Sequence, residues 1–198
     1  MDDSAAKRFT HVLLTGPPGI GKTTVCKKLA TILGNCTNKF DGFYTEELRG
    51  SAGSRIGFDV IRVTDPGART ALARSMNVVE HPDRYKHRVG NYCVFIDDFE
   101  KVALPVFQVK TDVLLIDEIG KMEMFSDRFK NEVSNAFFEK NNKKPFVVAT
   151  IPQNKGRFPS LLEKLRTFNA CKIINVNYQN RDKLPEEIAK IISKVLAE

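Results

Sequence analysis

Short apolar runs alternate with amphipathic stretches along most of this chain. The run F-T-H-V-L-L-T (9–15) has the length and content of a strand. Val25, Leu29, Ile32 and Leu33 then recur at helical spacing until Gly34, a candidate C-cap. K-F-D-G-F-Y-T-E-E-L (39–48) and R-I-G-F-D-V-I-R-V (55–63) flank the turn R-G-S-A-G-S and predict a β-hairpin. Residues 64–87 show no clear periodicity. They contain Pro66, Gly67, Pro82, His81 and His87, and predict a long functional or partly disordered loop. V-G-N-Y-C-V-F-I (89–96) alternates as a strand, and a helix from about Asp98 meets Pro105, which should kink or divide it. D-V-L-L-I-D-E (112–118) is a buried strand that ends in carboxylates. Ser126 can cap a helix whose Phe129, Val133 and Phe137 share one face. Residues 146–151 predict a strand, Leu161, Leu162 and Leu165 a short helix, and 172–176 a last strand. Ile188, Ile191, Ile192 and Val195 mark a closing helix that starts near Pro185.

Strands alternating with helices imply an α/β fold: a doubly wound, mostly parallel sheet with helices on both faces. Ligands then bind at the carboxyl ends of the strands. The hairpin elaborates that sheet. Residues 1–8 read as a polar lead-in and 9–198 as a single domain.

The junction after the first strand carries the strongest chemical signal. Gly16-Pro17-Pro18-Gly19-Ile20-Gly21-Lys22-Thr23 fits G-x-x-x-x-G-K-[ST], the phosphate-binding loop of nucleoside-triphosphatases, and it stands between a strand and a helix as that role requires. Glycines let successive N–H groups turn toward phosphate oxygens, and the helix adds its own open N–H groups and positive dipole end. Lys22 supplies a mobile charge for the outer phosphates and Thr23 a hydroxyl for Mg²⁺. Downstream, the apolar strand ending in Asp117 provides a second carboxylate-bearing site for Mg²⁺. Glu118 is placed to orient an attacking water or take its proton, which favours hydrolysis over transfer to an acceptor hydroxyl.

Asn38-Lys39-Phe40-Asp41 matches the guanine-selecting N-K-x-D, but it comes soon after Lys22 instead of far downstream. It is a chance match, and a GTPase switch is not expected.

Composition changes this picture little. At 42% hydrophobic and 28% charged the chain is of ordinary globular type, with no run long enough for a membrane helix and no secretory signal at its start. The four cysteines lack C-x-x-C spacing, so free thiols in a reducing cytoplasm are expected. A formal net charge of +7 suits a polyanionic nucleotide as well as it suits nucleic acid. No nucleic-acid-binding module is recognisable, so nucleic acid is possible but not expected as a partner. Two alternatives to hydrolysis stay open: a nucleotide or small-metabolite kinase of the same fold, and a nucleic-acid-associated ATP-binding protein.

From residue 9 almost to its end, the chain resembles a small family of P-loop nucleoside-triphosphatases known from thermophilic microbes and from vertebrates. The resemblance is carried by L-T-G-P-P-G-I-G-K-T-T (14–24), D-G-F-Y-T-E-E (41–47), R-I-G-F-D-V (55–60), R-V-G-N-Y (88–92), A-L-P-V (103–106), I-D-E-I-G-K-M-E (116–123) and A-T-I-P (149–152). It implies Mg²⁺-dependent hydrolysis of ATP, GTP and other nucleoside triphosphates to diphosphate and phosphate, with loose base preference; separately, a monomer is expected. It also implies two nucleotide-binding segments, 16–23 and Leu114-Leu115-Ile116-Asp117-Glu118-Ile119-Gly120-Lys121. Lys121 becomes a candidate for neutralising charge at the γ-phosphate, with Arg55, Arg74 and Arg88 as rivals and Arg157 as a lid candidate. Glu46 and Glu47 are candidates to line the substrate side, with an exposed strand edge the expected placement. Asn177, Asn180 and Arg181 stand where a base is contacted by analogy of fold.

Overall fold

The computed structural model of the protein describes residues 9–36, 39–139, 144–153 and 159–197. Their strands are β1 (His11–Thr15), β2 (Phe40–Arg49), β3 (Arg55–Arg62), β4 (Arg69–Ser75), β5 (Arg88–Val89), β6 (Tyr92–Val94), β7 (Val113–Asp117), β8 (Phe146–Thr150) and β9 (Cys171–Asn175). The helices are α1 (Lys22–Gly34), α2 (Ile96–Ala103), α3 (Pro105–Gln108), α4 (Asp127–Phe138), α5 (Ser160–Thr167) and α6 (Leu184–Leu196). One sheet joins all these strands in the order β5-β6-β4-β3-β2-β7-β8-β1-β9. β2, β7, β8, β1 and β9 run parallel. The strands from β3 to β5 extend the sheet in antiparallel fashion.

Every residue of β7 and β8 is buried, because helices cover both faces of the parallel part. Alternate side chains divide between two cores. Leu114, Ile116, Val147 and Ala149 join Phe99, Phe129, Val133 and Leu162 on one face. Leu115, Val148, Val12 and Leu14 join Val25, Leu29, Ile188 and Ile192 on the other. Phe129 touches the rings of Phe43, Phe99 and Phe107, and burying such a ring contributes about 3 kcal/mol. Ser126 caps α4 by accepting from the Phe129 N–H at 2.9 Å. Pro105 separates α2 from α3, since it brings no N–H to continue a helix.

His11, inside β1, is a core residue. It is 3% exposed, its Nδ1 accepts from the Val147 N–H, and burial pushes its pKa down to about 4. The four cysteines are free, three buried and Cys36 exposed. Among the described residues, no helix is long and apolar enough to cross a membrane.

Two expectations need correction. Residues 64–87 are not a structureless loop, because β4 pairs with both β3 and β6. Its sequence R-T-A-L-A-R-S hides the strand: Leu72 is its sole large apolar side chain, and its arginines are satisfied by Asp59 across the sheet. Nor is 89–96 one strand. Gly90, at φ 54, and Asn91 turn the chain so that Val89 pairs with Tyr92, and α2 begins at Ile96. Residues 1–8 lie outside the described residues.

Candidate functional site

β1 ends at Thr15 and α1 begins at Lys22, so residues 16–21 cross the carboxyl end of the sheet between them. Gly21 is the N-cap of α1 with φ 107, a conformation that disfavours any side chain, and it leaves the first turn without a side-chain cap. Gly16 is tight for a second reason. A Cβ there would stand 2.8 Å from the carbonyl oxygen of Val176, just beyond β9. Pro17, Pro18 and Gly19 are exposed and Ile20 is buried, which pins the loop's base while its rim faces outward. The Lys22 side chain folds back over the loop, and its Nζ donates to the Gly16 carbonyl at 3.3 Å. This arrangement matches the expected phosphate cradle.

β7 carries Asp117 to the same end of the sheet. β8 lies between β7 and β1, and the Thr150 hydroxyl at its tip donates to Asp117 Oδ1 at 2.5 Å. Asp117 Oδ2 is buried without a hydrogen-bond partner. The Thr23 side chain is near enough to this carboxyl group to oppose the rise in its pKa. Burial raises the Asp117 pKa, against the opposing pull of Thr150, Thr23 and Lys22.

Glu118 follows through a cis peptide bond. Its Oε2 is 3.9 Å from Lys22 Nζ. Its pKa is pushed up to about 6, first by burial and then by the charge of Asp117, with Lys22 opposing. A group in that range accepts a proton near neutral pH.

The sequence reading passed over two contributors. Thr150 is one, and its signal was a hydroxyl at the tip of an otherwise apolar strand. The other is Glu123, on a 3₁₀ turn (Glu123–Phe125) and only 4% exposed. Its pKa is pushed up to about 8, mainly by burial and next by Glu118. A Cβ on Gly120 would stand 2.8 Å from Glu118 Oε1 and 2.8 Å from Glu123 Oε2, so the two carboxyl groups converge over that glycine. The acid at the end of I-D-E-I-G-K-M-E was the available signal.

The rest of the 114–121 segment divides by role. Leu114, Leu115, Ile116 and Ile119 are core residues that hold Asp117 and Glu118 in place. The Ile119 N–H donates to the Thr150 carbonyl at 2.8 Å and ties the turn to β8. Gly120 is buried and Lys121 exposed.

The rival cations are committed elsewhere. Arg55 pairs with Glu47, Arg74 pairs with Asp59, and Arg88 donates to the carbonyls of Pro82 and Tyr85. Arg157 lies outside the described residues, as does Asn38 of the N-K-x-D match. Asp41 of that match is buried under Arg62 and Thr64, which leaves it no part in base recognition.

The pairing of β2 with β7 ends at Tyr44, opposite Asp117, so Glu46 and Glu47 stand on a stretch of β2 that pairs with β3 alone, with their side chains half-buried. Glu46 bonds Lys27 and Arg69, while Glu47 bonds Arg55 and Arg49. The side chains of Asn177 and Asn180 are used within their own loop, whereas Arg181 reaches the Ile20 carbonyl at 3.3 Å.

With this geometry in place, the likenesses to known proteins agree. Residues 11–189 match the family model described as NTPase. The chain is 40% identical to the mouse cancer-related nucleoside-triphosphatase homolog over 92% of its own length and 96% of the mouse protein. It is 40% identical to nucleoside-triphosphatase THEP1 of Thermotoga sp. (strain RQ2) over 91% and 94% of the two chains. Its structure resembles the crystal structure of THEP1 from Aquifex aeolicus, with TM-score 0.74, 32% identity and coverage of 92% and 98%. It also resembles the solution structure of a human cancer-related nucleoside triphosphatase, with TM-score 0.75, 38% identity and coverage of 93% and 97%.

Proposed function

Since the chain belongs to the NTPase family, we propose that it hydrolyses nucleoside triphosphates to diphosphate and phosphate, with Mg²⁺ and with loose base preference. One observation carries the reading: Glu118 Oε2 faces Lys22 Nζ across 3.9 Å, which sets a proton acceptor against the phosphate-binding lysine. Lys22 and the amides of residues 16–23 bind the triphosphate tail. Glu118 orients water for attack on the γ-phosphorus and takes the proton it releases. The bond from that phosphorus to the bridging oxygen breaks, and the electron pair leaves with the diphosphate.

The donor set fits Mg²⁺. Asp117 Oδ2 is a buried carboxylate oxygen without a hydrogen-bond partner, and the Thr23 side chain is near the same carboxyl group. Mg²⁺ takes few protein ligands, with the remainder from phosphates and water. When bound there it neutralises charge on the phosphate oxygens. Loose base preference follows from contacts made to phosphates that all nucleoside triphosphates share.

The test is release of inorganic phosphate from ATP, GTP, CTP and UTP without any acceptor. All four should turn over with Mg²⁺ and stop with EDTA. Phosphate transfer to an added small molecule, without release to water, would overturn the reading in favour of a kinase.

A further inference from the structure

We infer that Tyr178 is the platform on which the nucleobase of the bound triphosphate stacks. The inference rests on the triphosphatase reading and adds the site for the other half of the substrate.

The segment after β9 is built onto the phosphate loop. The Val176 N–H donates to the Thr15 carbonyl at 2.7 Å, and the Val176 carbonyl lies against Gly16. The turn that follows is held by its own asparagines. Asn177 Oδ1 accepts from the N–H groups of Gln179 and Asn180. Asn180 Oδ1 accepts from the Asn177 N–H, and its Nδ2 donates to the Asn175 carbonyl. A turn fixed this way holds residue 178 in one place.

Tyr178 is 73% exposed, well above Val78 at 53%, the next large hydrophobic residue among those described. Its ring therefore adds almost nothing to the core. The Arg181 guanidinium covers the ring at 4.9 Å from its centroid. The same arginine donates to the Ile20 carbonyl, and its Cδ lies where a Cβ on Gly21 would be 3.7 Å away. Arg181 thus bridges the phosphate cradle and the exposed ring. Beside that bridge opens a cleft of about 200 Å³ lined by Gly21, Thr24, Val25, Lys28, Arg181 and Asp182.

Stacking suits an unselective site. Every base presents a π-face, and stacking on it does not read the base edge. Three of the four polar side-chain atoms of Asn177 and Asn180 are spent within the turn. Purines, with the larger ring, should bind more tightly than pyrimidines.

The test titrates wild type, Tyr178→Ala and Tyr178→Phe with non-hydrolysable ATP and UTP analogues and with inorganic tripolyphosphate, all with Mg²⁺. Tyr178→Ala should weaken the ATP analogue roughly 5- to 100-fold. The UTP analogue should lose less, tripolyphosphate should be unchanged, and Tyr178→Phe should bind like wild type. An equal loss for tripolyphosphate and nucleotide, or no loss for either, would overturn the inference and leave the triphosphatase reading intact. Wild type that binds neither ligand would overturn both.

Discussion

Two sets of acidic side chains on the same sheet are treated in opposite ways. In the antiparallel extension, Asp59 is held by Arg69 and Arg74, Glu46 by Lys27 and Arg69, and Glu47 by Arg55. Lys27 holds the Glu46 pKa low, and Arg55 does the same for Glu47. At the end of β7, the pKa values of Asp117, Glu118 and Glu123 are all raised, with burial the largest cause in each case. The first group stabilises the fold through partners of its own. The second costs folding energy, and the protein retains it where a phosphate loop converges. Acidic residues spent on architecture and acidic residues kept for chemistry are thus told apart by their partners.

The two regions should therefore respond to pH with opposite sign. Glu123 has a folded pKa of about 8 against an ordinary value of 4.5. Folding then takes up a proton between those limits. Its contribution is most favourable below pH 4.5 and is lost as pH rises toward 8, by about 1.4 kcal/mol per pH unit. Glu123→Gln should accordingly raise the melting temperature most at pH 8 and hardly at all near pH 4. A constant shift across that range would mean that Glu123 is not a raised acid. Glu46 and Glu47, with lowered values, should instead lose their contribution as pH falls below the ordinary carboxylate range.

Next in size, Lys22→Ala removes charge-assisted hydrogen bonds to phosphate. Isothermal titration with a non-hydrolysable triphosphate should show about 10- to 100-fold weaker binding. Melting should change little. In the extension the outcome should reverse. Asp59→Ala removes a shared carboxylate partner from the two half-exposed guanidinium groups of Arg69 and Arg74 and should cost about 1–2 kcal/mol in urea unfolding, with triphosphate affinity within about twofold of wild type. A large affinity loss in Asp59→Ala would erase the distinction between the two regions.

The sequence showed the catalytic end more fully than the extension, for a physical reason. The phosphate loop and the run into Asp117 and Glu118 are contiguous, so their chemistry can be read from neighbouring letters. β4 was missed because its arginines find their partner in Asp59, which lies on another strand. The ion pairs of Glu46 were not legible because Lys27 and Arg69 lie on other elements of the fold. Thr150 meets Asp117 because β8 comes between the two site-bearing strands, and no local pattern gives that order. Glu123 required the turn at Gly120 to bring it back against Glu118.

The central claim is that Glu118 does the chemistry while the cradle does the binding. Glu118→Gln keeps the shape and removes the proton acceptor, so it should be tested in parallel by triphosphate titration and single-turnover phosphate release. Binding should stay within about threefold of wild type while release slows by roughly 10²–10⁴-fold. Unchanged release would contradict the account and take Glu118 out of the mechanism.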